Sequence, residues 1–174
     1  GIVTEAGAVR FERLLAAPVE RVWDYLTQSE LRRQWFAGGE MELRPGGRFT
    51  LVFRNGELSH HDEPMPKKFE QYEGMESTAE IVEADPPRRL VFEWHEESGP
   101  PTEVTWELER RGKETLLTLT HRRAPDRAIL VDVSAGWHIH LDILEDILAG
   151  REPRPFWSTH AGYEKAYEEH MPAF

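Results

Sequence analysis

Residues 8–16 place Val9 and Phe11 between charged neighbours before Leu14 and Leu15, a one-faced pattern that predicts an opening strand. Pro18 then suits the first position of a helix, where its missing N–H costs nothing. Val19, Val22, Trp23 and Leu26 follow three and four apart, one apolar stripe on a short amphipathic helix. Ser29 is placed to cap a second short helix over 30–36, which Gly38-Gly39 ends. From Gly39 the period changes to two. Met41 and Leu43, then Phe49, Leu51 and Phe53, read as a hairpin turned by Arg44-Pro45-Gly46-Gly47, whose Pro-Gly pair fits a type II turn. Asn55-Gly56 is the next turn signal. Residues 58–73 have no clean period and read as a long, mobile, acidic loop. Strands return at 75–83, 88–95, 102–110 and 114–122. Leu90, Phe92 and Trp94, like Val104, Trp106 and Leu108, share one parity, against mostly charged or polar neighbours on the other. The sheet therefore has an aromatic face and a charged face, and the aromatic one needs a cover.

Residues 127–149 supply it. At 100° per residue, Ile129, Leu130, Val133, Trp137, His140, Leu144, Ile147 and Leu148 fall on one side of a long helix. Asp132, His138, Asp142, Glu145 and Asp146 fall opposite or at the flank, and Gly150 ends the helix. A shorter helix is expected over 158–170. The order of elements is that of an α+β domain: a curved antiparallel sheet of about six to seven strands wrapped around a long C-terminal helix, with two short helices after the first strand. The whole chain, 1–174, is expected to form one domain, with its core in 8–150 and a C-terminal helical extension over 151–174.

Composition narrows the function. A formal charge of −11, concentrated in 57–76 and after 129, opposes binding to nucleic acid or to an anionic membrane. No apolar run approaches the roughly 20 residues of a membrane span. The absence of cysteine removes disulfides, thiolate nucleophiles and Cys-based metal centres, and a cytoplasmic home is the default expectation. There is no Gly-rich phosphate loop, no nucleophile elbow and no His-Glu-x-x-His helix. Six tryptophans, eight phenylalanines and four tyrosines remain as the distinguishing feature.

Five motifs resemble the SRPBCC superfamily. They are Ala17-Pro18-Val19-Glu20-Arg21-Val22-Trp23 with Trp35, Leu43-Arg44-Pro45-Gly46-Gly47-Arg48-Phe49, Pro86-Pro87-Arg88-Arg89-Leu90-Val91-Phe92-Glu93-Trp94, Thr118-Leu119-Thr120-His121, and Gly136-Trp137-His138-Ile139-His140-Leu141-Asp142. Within it they resemble the branch named for homologues of the heat-shock-protein ATPase activator. The resemblance covers about 8–150 and implies the helix-grip fold, which hosts lipid carriers, hormone receptors, aromatase/cyclases and co-chaperone domains. Residues 57–74 look like an insertion.

The resemblance and the aromatic face together imply a ligand site between sheet and helix, made by Trp35, Phe36, Phe53, Phe92, Trp94, Trp106, His121, Trp137, His140 and Leu144. The expected partner is a small hydrophobic or aromatic molecule, without a cofactor. The bland alternative is that these rings only fill the core. Two further readings stay open: an acidic co-chaperone-like module that docks a protein, and a cyclase or hydrolase using His121 and His140, which share inward parity but have no orienting carboxylate beside them. No catalytic residue is assigned. His138 and His140, two apart on a helix, point about 200° apart and cannot share an ion. His138 with Asp142 reads as a solvated pair, and His60-His61-Asp62-Glu63 as part of a solvated loop, so no metal site is assigned.

Overall fold

The structure is a computed structural model that describes residues 1–95 and 99–174. Eight strands form one antiparallel sheet: β1 (Ile2–Glu5), β2 (Ala8–Leu15), β3 (Ala37–Gly38), β4 (Arg48–Phe53), β5 (Glu76–Asp85), β6 (Arg89–His95), β7 (Thr102–Arg111) and β8 (Glu114–Arg122). Their order across the sheet is β1-β2-β8-β7-β6-β5-β4-β3. The helices are α1 (Val19–Thr27), α2 (Ser29–Arg32), α3 (Lys67–Glu70), α4 (Arg127–Leu148) and α5 (Phe156–His170).

The alternation read from the sequence becomes two distinct faces. Leu90, Phe92, Val104, Trp106, Leu117, Leu119 and His121 are buried toward α4. Register places Leu90 opposite Trp106 and Val104 opposite His121, so the inward rows of β6, β7 and β8 meet side by side. The other face carries surface ion pairs such as Arg89–Glu83 at 3.1 Å and Arg89–Glu107 at 3.2 Å. α4 is started by Asp126, whose side chain accepts the Ile129 N–H at 2.9 Å, and it stops at Gly150 in the left-handed conformation (φ 72°).

Five expectations need correction. The sheet has an extra edge strand, β1, folded back through Gly7 (φ 73°); its four residues are too few and too exposed to show a period. The second helix ends at Arg32 rather than Phe36. Arg32 is fully buried and donates to the carbonyls of Leu26, Thr27, Ala37 and Gly39, which pulls 37–39 back against the end of α1 and forces 33–36 into turns. The chain then pairs with β4 through β3, so Met41 makes only an isolated bridge to Phe49. Residues 58–73 are not a free loop: they contain α3 and pack on α5, which starts at Phe156 rather than Ser158.

The fifth correction concerns the side of α4 expected to face water. α5 covers it, so Asp142 and Asp146 are buried. Asp142 meets Arg13 at 3.5 Å and Arg154 at 3.3 Å and accepts from the Tyr163 hydroxyl. Asp146 accepts from Arg154 Nε at 2.8 Å and Nη2 at 2.7 Å. Burial alone would raise the Asp146 carboxyl, but these donors hold it below the usual range. His138 is likewise no solvated partner of Asp142. Its ring stacks on Tyr163 at 3.8 Å, and its Nδ1 bonds the Tyr167 hydroxyl at 2.8 Å.

Candidate functional site

Strands β4, β6, β7 and β8 hold Phe53, Phe92, Trp94, Trp106 and His121 on one face. The turn after α2 delivers Trp35 and Phe36, and α4 presents Trp137 and His140 from the other side. All nine join one connected cluster of rings. Phe36 is its hub, with ring centroids 4.7 Å from Trp137, 5.1 Å from His140, 5.2 Å from Phe53, 5.4 Å from Trp35, 6.0 Å from Trp94 and 6.2 Å from Trp106. Trp106 meets Phe92 at 5.2 Å and Trp35 at 6.0 Å. Phe53 stacks on Trp94 at 5.8 Å, and these two, only partly buried, form the outer end of the layer. Leu144 is buried one turn beyond His140. Sequence reasoning missed Phe49, 5.0 Å from Phe92, and Phe156, 5.5 Å from His140. Phe49 shares the parity of Leu51 and Phe53 and was legible; Phe156 reaches His140 only because α5 folds over α4.

The polar atoms of this layer are nearly all committed. An indole N–H can only donate, so the 2.9 Å contact of Trp137 Nε1 with His121 Nδ1 makes that nitrogen the acceptor. His121 therefore carries its hydrogen on Nε2 and donates to Thr102 Oγ1 at 2.8 Å. His140 Nδ1 faces the Trp35 carbonyl at 2.8 Å, so it holds the hydrogen. Burial pushes both histidines down to about 4, which keeps them neutral at pH 7. Trp35 Nε1 donates to the Tyr25 carbonyl and Trp94 Nε1 to Ser77 Oγ, both at 2.8 Å. Trp106 Nε1 and Ser134 Oγ are buried and have no partner among the described residues.

With both nitrogens of His121 engaged and no ring contact joining it to His140, the two histidines do not form a proton-transfer pair. The four adjacent residues His60-His61-Asp62-Glu63 do not converge either: Glu63 turns inward and accepts the N–H groups of Trp157 and Ser158 at 3.1 and 3.3 Å, capping α5. Among the described residues no group of three His, Cys, Asp or Glu side chains is placed to hold a metal ion.

Outside the aromatic layer lies a cleft of about 190 Å³, lined by Arg33, Phe36, Gly38, Val52, Arg54 and Glu57 among others. Its volume is below the roughly 300 Å³ at which small-molecule pockets begin. Phe36 is the wall between this cleft and the rings beneath. Beside it, the Arg32 guanidinium lies 4.7 Å over the Phe49 ring, and burial lowers it to about 10, so it stays a cation that is used up by backbone carbonyls.

A family model described as activator of Hsp90 ATPase homolog 1-like protein matches residues 16–149. The chain belongs to this family. The match runs from the end of β2 to just past α4 and leaves α5 outside it. The family's branch of the SRPBCC superfamily and its helix-grip architecture are those expected from the motifs, with eight strands in place of six or seven. The protein encoded by gene BPP1335 from Bordetella parapertussis is 40% identical, with a TM-score of 0.84 over 98% of this chain and 90% of that one. CalU16 from Micromonospora echinospora is 27% identical, with a TM-score of 0.70 over 93% and 86%. DynU16, from the dynemicin biosynthetic locus, shares the fold at 22% identity and TM-score 0.64, over 87% of this chain and 51% of its own. No curated protein matches the sequence. No helix among the described residues is long and apolar enough to cross a membrane.

Proposed function

We propose that this member of the activator-homologue family is a binding protein for a small, flat, apolar or aromatic molecule, which it takes up between the sheet and α4. One observation carries the reading: Phe36 is at once the wall of the surface cleft and the ring touching six others of the interior. A flat ligand that displaces this single phenyl ring toward the cleft inherits its aromatic neighbours on every side. Such contacts are worth about 0.5–1.5 kcal/mol each beyond area burial. The interior is closed, so entry requires that displacement.

The test is titration of tryptophan fluorescence with fluorene, naphthalene and a straight-chain alcohol of equal carbon count. Saturable quenching by the flat compounds, together with a rise in melting temperature, is expected. Ligand at 100 times its dissociation constant contributes about 2.7 kcal/mol, or roughly 5–10 °C for a chain of this length. No saturable signal with any of them at their solubility limits would overturn the proposal. The alternative of an acidic docking module predicts a salt-sensitive complex with a basic protein and no response to these compounds.

A further inference from the structure

Three of the four tryptophans in the layer spend their indole hydrogens: Trp35 on the Tyr25 carbonyl, Trp94 on Ser77 and Trp137 on His121. Trp106 does not. Its side chain is 0% exposed, in the middle of β7, and its Nε1–H has no acceptor among the described residues. The rings around it, Trp35, Phe36, Phe92 and Trp137, offer faces and edges but no lone pair in the plane of a carbonyl or imine. A buried donor without an acceptor is rare in native proteins and needs a reason. Trp106 stands 6.2 Å from Phe36, the hub of the layer. Among the described residues the ring cluster contains no carboxylate, ammonium or free guanidinium, and Arg32 already donates to four carbonyls. A charged ligand would lose its hydration there without a counter-charge.

We infer that the site takes an uncharged, flat polycyclic compound bearing a ring carbonyl, whose oxygen accepts the Trp106 Nε1–H when the ligand occupies the place of Phe36. The inference rests on the binding role proposed above and adds the chemistry that selects the ligand. The carbonyl is the element the buried donor requires.

Fluorene and 9-fluorenone share one three-ring frame and differ by a single carbonyl; 9-fluorenone-4-carboxylate adds a charge. By fluorescence quenching, fluorenone binds about tenfold more tightly than fluorene, the size of one neutral hydrogen bond, and the carboxylate binds more weakly than either. Trp106→Phe removes the preference itself: the ratio of fluorenone to fluorene affinity falls to about one, whatever the smaller ring does to both. Because Trp106 is a core residue and the variant can fail to fold, the wild-type protein provides an independent reading. In ¹H–¹⁵N spectra the Trp106 indole proton moves downfield with fluorenone and not with fluorene. Equal affinity for fluorene and fluorenone, or an indole signal that responds alike to both, overturns the inference and leaves the binding role standing. Failure of both compounds to bind overturns the two together.

Discussion

Replacing Phe36 with alanine separates a gate from an ordinary core residue. Phe36 is 2% exposed and meets six rings, so the truncation belongs with buried Phe→Ala changes, which cost about 3–5 kcal/mol. The lower end applies, because the void opens onto the adjoining cleft and water can enter it. A loss of about 3 kcal/mol corresponds to roughly 6–12 °C in a chain of this length. Since small domains are stable by about 5–15 kcal/mol, the variant still folds. The same change removes the ring a ligand must displace. F36A should therefore bind fluorene at least tenfold more tightly than wild type, and saturating fluorene should restore most of the lost stability, about 2.7 kcal/mol at 100 times the dissociation constant. Urea unfolding with and without fluorene, read by tryptophan emission, measures both. A variant destabilised as calculated that binds fluorene no better than wild type would show that Phe36 merely fills the core. A loss under 1 kcal/mol would show that the ring is not packed as described.

The histidines give the protein an acid-sensitive window. Burial lowers His121 and His140 to about 4, and His138 and His160 shift in the same direction, so between pH 6.5 and 4 the unfolded chain binds more protons than the folded one. Stability is then full above pH 6.5 and falls as the pH drops, by up to roughly 1.4 kcal/mol per unit for each fully buried histidine; a flat urea midpoint between pH 6.5 and 5 would refute this, and H140Q should reduce the slope. Glu63→Ala removes the cap of α5 and should cost about 1 kcal/mol, with faster amide exchange at Trp157 and Ser158 as its signature. Arg32→Met leaves the carbonyls of Leu26, Thr27, Ala37 and Gly39 without a donor and should cost about 3 kcal/mol or more in urea unfolding, while R32K, unable to reach all four, recovers only part.

What the sequence revealed depended on whether the controlling contacts were local. The parity of Leu90, Phe92 and Trp94 and of Val104, Trp106 and Leu108 follows from the two-residue repeat of a strand, and it placed the aromatic face of the sheet correctly. The stripe from Leu130 to Leu144 did the same for α4. The opposite side of α4 was misread because its burial depends on distant partners. Asp142 and Asp146 look like solvated acids until α5 folds over them and Arg13 and Arg154, from β2 and the α4–α5 connection, arrive to pair with them. Glu63 is a similar case, an apparently free acid in an irregular stretch whose partners are amides more than ninety residues away. The vacancy at Trp106 has no sequence signature, because an unpaired donor is a property of what surrounds it.

Under the binding role proposed above, the closed layer also constrains how strongly the protein can bind. A ligand admitted only when Phe36 swings outward has its apparent affinity reduced by the fraction of molecules in which the ring is out. With the ring inward in about 99% of molecules, the penalty is about 100-fold. Packing that stabilises the empty protein therefore weakens binding, and one phenyl ring governs both with opposite sign. Trp106 works against this penalty. Its unpaired N–H makes the closed state less favourable than its ring packing alone would make it, and that deficit is removed only when an acceptor enters. Discrimination consequently comes from the ligand: a bare hydrocarbon meets the full cost of opening the layer, whereas a compound carrying a carbonyl at the right edge recovers part of it from a hydrogen bond the empty protein cannot make.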